Sequence, residues 1–152
     1  MNELKEQLMQ ISLRTFEEFA FLMPIPEEDA PPADDVEKII TCVAYTGYSK
    51  GILYISVTNQ MLPILAQNIL AEESTPTEQQ QLDALKEIAN VICGNILPFL
   101  AGSEKIYRLQ APEIVDKIKE SYKTNDWGLV ENKLAFDEGI AEIFWFYEKP
   151  QE

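Results

Sequence analysis

Histidine is missing from this 152-residue chain, so catalytic triads and metal sites that depend on imidazole are excluded. Cysteine is nearly missing. Cys42 and Cys93 are the only two, and neither CxxC nor CxxH spacing occurs, so neither a zinc site nor a disulfide framework is expected. Both sit among apolar neighbours and read as small core residues, a usage that fits a reducing cytoplasm. Positive charge is scarce as well: 12 lysines and arginines face 26 aspartates and glutamates, for a formal charge of −14. A nucleic-acid backbone or an anionic membrane surface would therefore be repelled rather than bound.

Long apolar runs are also lacking. The longest, FAFLMPI, falls far short of the roughly 20 residues that cross a bilayer. The amino-terminal MNELKEQL has neither the basic start nor the apolar stretch of a secretory signal. The expectation is a cytoplasmic protein with neither nucleic acid nor membrane as partner. Phosphate-binding glycine loops of the G-x-G-x-x-G or Walker kind do not occur, and there is no tandem repeat.

What the chain does have is 46% hydrophobic residues, enough for one domain over 1–152 that buries roughly two-thirds of its unfolded surface. Leu4, Leu8, Ile11, Phe16 and Phe19 recur at helical spacing, predicting a first helix from about Leu4 to Leu22 that Pro24 and Pro26 stop. The acidic, proline-rich stretch 23–35 reads as a solvated connector. Two β-branched and aromatic runs, Val36–Tyr45 and Gly51–Val57, flank TGYSKG and predict an antiparallel hairpin. NQMLPILAQNIL resumes helical spacing, with Asn59 placed to cap it and Pro63 tolerable near its first turn.

Thr75 or Thr77 is positioned to cap a long helix that runs from about Thr77 into the 90s and kinks or ends near Pro98. KIYRLQAP predicts a strand, and EIVDKIKESYKTNDW reads equally as strand or short helix. Leu129–Phe136 and Ile140–Tyr147 alternate around a DEG turn, a second hairpin. Trp127, Trp145 and the aromatics of IFWFYEK read as core or sheet-edge packing, with an exposed apolar edge there as a possible route to dimerisation by strand pairing. The order of elements predicts an α/β domain of the α+β kind, a mainly antiparallel sheet with helices packed on it.

The long helix has two contrasting sides. At about 100° per residue, Leu85, Ile88, Ala89, Ile92 and Ile96 gather on one face, and Asp83, Glu87, Asn90 and Gly94 fall in a narrow sector opposite. A solvated polar face is the ordinary reason for such a stripe. This one is poorly composed for helix stability, since Asn is a weak helix former, Gly costs about 1 kcal/mol relative to Ala, and Asp and Glu four apart repel. It offers instead a carboxylate that can pair with a lysine ammonium, a carboxamide that can both donate to and accept from a water, and a glycine that lets another surface come close. Glu87 and Asn90 could thus engage a cation and orient a nucleophilic water on a partner that brings its own reactive centre.

Asp83, three residues, Glu87, two residues, Asn90, then twenty-one residues to Pro112: this pattern resembles the signature of the CheC/CheX/FliY phosphatases, which dephosphorylate the chemotaxis response regulator CheY. EIANVICGN is most similar to the single-motif CheX branch, and GYSKGILYISVTNQMLPILAQNIL to the segment preceding the signature helix there. With the final hairpin the likeness covers most of residues 36 to 148. It implies a six-stranded antiparallel sheet with helices on it and, as in CheX, a homodimer. It also implies roles. Glu87 matches the glutamate that pairs with the receiver's lysine, and Asn90 matches the asparagine that aligns the attacking water beside the aspartyl phosphate. Asp83 and Pro112 match outer, supporting positions.

No cofactor of the chain's own is implied; the Mg²⁺ belongs to the partner receiver domain. The first helix reads TFEEFAFL, with Ala20 three after Glu17, so one site per chain is expected. The chemistry is consistent with the residues, because an acyl phosphate is already activated and its hydrolysis is catalysed chiefly by position and charge. Two other classes stand beside this expectation. One is a module of the same fold that binds a receiver without hydrolysis, and the other is an unrelated dimerisation domain whose stripe is merely solvated.

Overall fold

The computed structural model describes residues 2–32, 34–71 and 73–149; Ala33 of the connector and residues 150–152 of the tail lie outside these. In chain order the elements are α1 (Asn2–Ala20), β1 (Lys38–Gly47), β2 (Gly51–Thr58), α2 (Met61–Leu70), α3 (Glu78–Ile96), the one-turn α4 (Pro98–Ala101), β3 (Tyr107–Leu109), β4 (Glu113–Val115), β5 (Trp127–Phe136) and β6 (Gly139–Glu148). The strands form an open six-stranded sheet in the order β3-β1-β2-β6-β5, and β4 also pairs with β1. Every pairing is antiparallel, and helices pack on one face, so the fold is the α+β sheet-and-helix architecture that the order of elements predicts.

Alternation along the strands explains the layers, since successive side chains point to opposite faces. Val43 and Tyr45 of β1, Leu53, Ile55 and Val57 of β2, and Ala141, Ile143 and Trp145 of β6 join Leu8 and Phe16 of α1 and Leu85, Ile88 and Ile92 of α3 in the main core. Their alternates, Cys42, Ile52, Tyr54 and Phe146, form a smaller cluster on the other face. β2 is buried throughout because it lies at the centre of the sheet. Both cysteines are buried, as their surroundings in the sequence suggest.

The caps and breaks follow local chemistry. The Thr77 hydroxyl accepts from Gln80 N–H while the Gln80 side chain accepts from Thr77 N–H, a reciprocal box that satisfies two otherwise orphan donors at the start of α3. α3 ends at Ile96, and Pro98 opens α4, where a missing N–H does no harm. By length and composition alone the helical stretch Glu78–Ala101 is long and apolar enough to cross a membrane. Its apolar side is the one buried in the main core.

Six expectations are corrected or refined. α1 stops at Ala20, two residues before the predicted end at Leu22, because Phe21 takes a left-handed conformation (φ 55) and the Leu22 N–H folds back onto the Phe16 carbonyl. Phe19 is 41% exposed despite its spacing. Gln60, not Asn59, occupies the position before α2, with no side-chain cap. The strand carrying IFWFYEK is not an edge, since β6 is paired on both sides by β2 and β5. The ambiguous segment divides into both alternatives: β4, followed by a 3-10 turn at Glu120–Tyr122. The acidic connector is tied down rather than free, with Ile25 N–H donating to the Ala135 carbonyl and Glu27 paired with Lys133 at 3.4 Å.

Candidate functional site

α3 lies over the sheet with its apolar side down, so the opposite side faces solvent. Asp83, Glu87, Asn90 and Gly94 are all exposed there, while Leu85, Ile88, Ala89, Ile92 and Ile96 are buried. The link between β3 and β4 then approaches that helix. Gln110 N–H donates to the Ala44 carbonyl of β1 at 2.8 Å, which anchors the link between the two short strands that β1 holds. As a result Pro112 lines a shallow depression of about 280 Å³ with Asp83, Glu87 and Asn90. Gly94 is one turn further along α3 and does not line it; its neighbour is Leu109 of β3.

The polar groups in this depression differ in how far they are committed. Asp83 Oδ1 accepts from Gln79 Nε2 at 2.8 Å, one turn earlier on the same helix. Among the described residues, the Glu87 and Asn90 side chains have no hydrogen-bond or ion-pair partner. They stand one turn apart on an exposed face, so a docking surface meets a carboxylate and a carboxamide whose bonding capacity is still available. Lys86, Leu109, Gln110 and Ala111 complete the lining. Sequence reasoning passed over all four, although Lys86 adjoins Glu87 and the run Leu109–Gln110–Ala111 directly precedes Pro112.

Neither thiol contributes a nucleophile to this face. Cys93 sits on the buried side of α3, where burial pushes its thiol up to about 12, so it remains protonated and inert at neutral pH. Cys42 lies on the far side of the sheet, also raised by burial and secondarily by the carboxylate of Glu113. Among the described residues no group of three or more His, Cys, Asp or Glu side chains is arranged to hold a metal ion. What the face offers chemically is positioning: an anion for a cation, and an amide for a water or a phosphoryl oxygen. α1 offers no second such pair, because Glu17 is exposed but Ala20, in the place of an amide, is fully buried in the core.

The family model described as chemotaxis phosphatase CheX matches residues 39–126. No curated protein sequence matches the chain significantly. Among solved structures, a chemotaxis protein CheX from Vibrio vulnificus is similar at TM-score 0.73 and 16% identity, over 96% of this chain and 97% of that one. A CheX from Desulfovibrio desulfuricans is similar at TM-score 0.71 and 16% identity, over 96% and 99%. The CheX of a CheX–CheY–BeF3–Mg²⁺ complex from Borrelia burgdorferi is similar at TM-score 0.68 and 13% identity, over 95% and 97%. At these identities the likeness is one of fold.

Proposed function

The chain belongs to the CheX family of chemotaxis phosphatases, and from that premise we propose that it hydrolyses the aspartyl phosphate of a CheY-like response regulator through the exposed face of α3. The observation that carries the reading is the pair Glu87 and Asn90, exposed, unpartnered among the described residues and set beside Pro112 in one depression. In this reading Glu87 engages the ammonium of the receiver's lysine. The Asn90 amide enters next to the acyl phosphate and holds the attacking water in line, donating to one oxygen and accepting from the water.

The bond that breaks is the one between phosphorus and the aspartyl oxygen, and the water oxygen replaces it. The Mg²⁺ that neutralises the phosphoryl oxygens belongs to the receiver, and no cofactor of this chain enters the step. Asp83, held by Gln79, shapes the outer rim of the face, and Pro112 stiffens the opposing link. The partner is supported by the relative from Borrelia burgdorferi, whose structure is a complex with CheY. A cytoplasmic location and a homodimer belong to the same proposal, the dimer resting on the likeness to the CheX branch.

The test is the lifetime of the phosphoryl group on candidate receivers with and without the purified protein, with Asn90→Ala alongside. Accelerated phosphate loss that Asn90→Ala abolishes is the expected result. No acceleration on any receiver of the same cell, with the variant indistinguishable from the parent, removes the proposal. Stable capture of a phosphorylated receiver with an unchanged lifetime would replace it with a non-catalytic binding module.

A further inference from the structure

The sheet face turned away from the long helices is only partly covered. The chain between β4 and β5 crosses it, and its 3-10 turn brings Tyr122 against Trp127 at 4.9 Å, Phe146 at 5.7 Å and Tyr54 at 6.3 Å between ring centroids. Beside this aromatic group lies a cleft of about 530 Å³, within the roughly 300–1,000 Å³ typical of small-molecule sites. Cys42, Ile52, Tyr54, Tyr122 and Trp127 are among the residues that line it. Apolar surface with two or three ring faces and edges is suited to a flat ring system, which stacks or meets them edge-on.

The charge around the cleft runs against that of the chain. Lys50, Lys117 and Lys119 line it, three of only 12 cationic residues in a chain of net charge −14. Two carboxylates, Glu113 and Asp116, also line it, so cations outnumber anions here by three to two while they are outnumbered elsewhere. The three ammonium groups are in no ion pair among the described residues, where the pairs are Lys38–Glu142, Lys123–Glu120 and Lys133–Glu27. Lysines without a carboxylate partner in the lining of an aromatic cleft favour an anion there.

We propose that this cleft binds a small planar aromatic molecule carrying an anionic group such as a phosphate, sulfonate or carboxylate. The ring system packs against Cys42, Ile52, Tyr122 and Trp127, and the anionic group lies beside Lys117 and Lys119. The backbone N–H of Lys119 donates to the Tyr54 hydroxyl at 3.4 Å, tying this stretch of chain to the sheet.

The test uses 1-anilinonaphthalene-8-sulfonate as the anionic probe and N-phenyl-1-naphthylamine as its neutral counterpart, each titrated into the full-length chain under conditions where it melts cooperatively. The expected result is one sulfonate site per chain, with energy transfer from tryptophan that Trp127→Phe reduces, leaving the share from Trp145, while binding persists. The Lys117→Gln, Lys119→Gln double variant is expected to weaken the sulfonate about tenfold and to leave the neutral probe unchanged. Equal affinity for the two probes, several sites per chain, or indifference to the lysine changes would overturn the proposal. So would loss of probe binding as the protein self-associates, which would make the cleft an interface between copies.

Discussion

Gly94 of α3 faces Leu109 of β3 with room to spare: a Cβ built on Gly94 would stand 3.9 Å from Leu109 Cδ2 and meet nothing nearer. The chain's own packing therefore does not require a glycine, although glycine in a helix interior costs about 0.5–1 kcal/mol relative to alanine. Gly94→Ala is expected to raise unfolding free energy by about that amount in urea titrations and to weaken binding of the phosphorylated receiver. Greater stability with unchanged receiver affinity would deny Gly94 a part in docking.

Asn90 and Glu87 should separate in kinetics. An amide that only positions water acts in the transition state, so Asn90→Ala is expected to slow phosphate loss by about 100-fold with little change in receiver affinity. In the proposed docking Glu87 supplies a charge, so Glu87→Gln is expected to weaken binding and flatten its dependence on salt. Saturation kinetics over a range of ionic strength check both. Equal effects of the two substitutions on binding and rate would contradict the division of roles.

The Trp145 indole N–H donates to the Tyr45 hydroxyl at 3.1 Å inside the main core, linking β6 to β1 across β2. Gly51 makes room for that hydroxyl, since a Cβ there would collide with it. Tyr45→Phe leaves the buried indole N–H without a partner, a loss of about 1–3 kcal/mol in stability. Phosphatase activity of the folded protein should not change, because the pair lies in the core beneath α3. Chemical denaturation together with the phosphate-lifetime assay tests both halves.

Burial raises the Cys93 thiol to about 12 from an ordinary 9.0. The unfolded chain thus loses this proton first as pH rises. The stability contributed by the protonated buried thiol is complete below about pH 9 and fades as pH climbs toward about 12. Denaturation midpoints measured from pH 8 to 10.5 should fall less steeply in Cys93→Ala, once its lower starting stability is subtracted. Iodoacetamide should label Cys93 at neutral pH only after unfolding. Rapid labelling of Cys93 in the folded protein would disprove its burial.

The two sides of α3 were legible before any coordinates, since one helix obeys one period and Leu85, Ile88 and Ile92 mark its inner face wherever it packs. The same holds for the Thr77 cap, the break at Pro98 and both hairpins, each set by residues a few positions apart. Phe19 shows where that reasoning stops. Periodicity placed it on the apolar side of α1, but how far along the helix that side is covered depends on neighbours from elsewhere in the chain. Asn59 failed in a smaller way, because the helix began one residue later than its best capping residue.

Residues 83 to 94 determine by themselves a helix with a polar outer face, because their chemistry and spacing are local. Tertiary structure alone decided that β3 and β4 both attach to β1, that their link carries Lys86's opposite neighbours Gln110 and Ala111 to that face, and that a lysine-lined aromatic cleft opens on the far side of the sheet. Strand pairing sets Leu53 of β2 beside Trp145 of β6, far apart in the chain, and the two-residue alternation of a strand says which side chains point inward but not which strand will lie beside it.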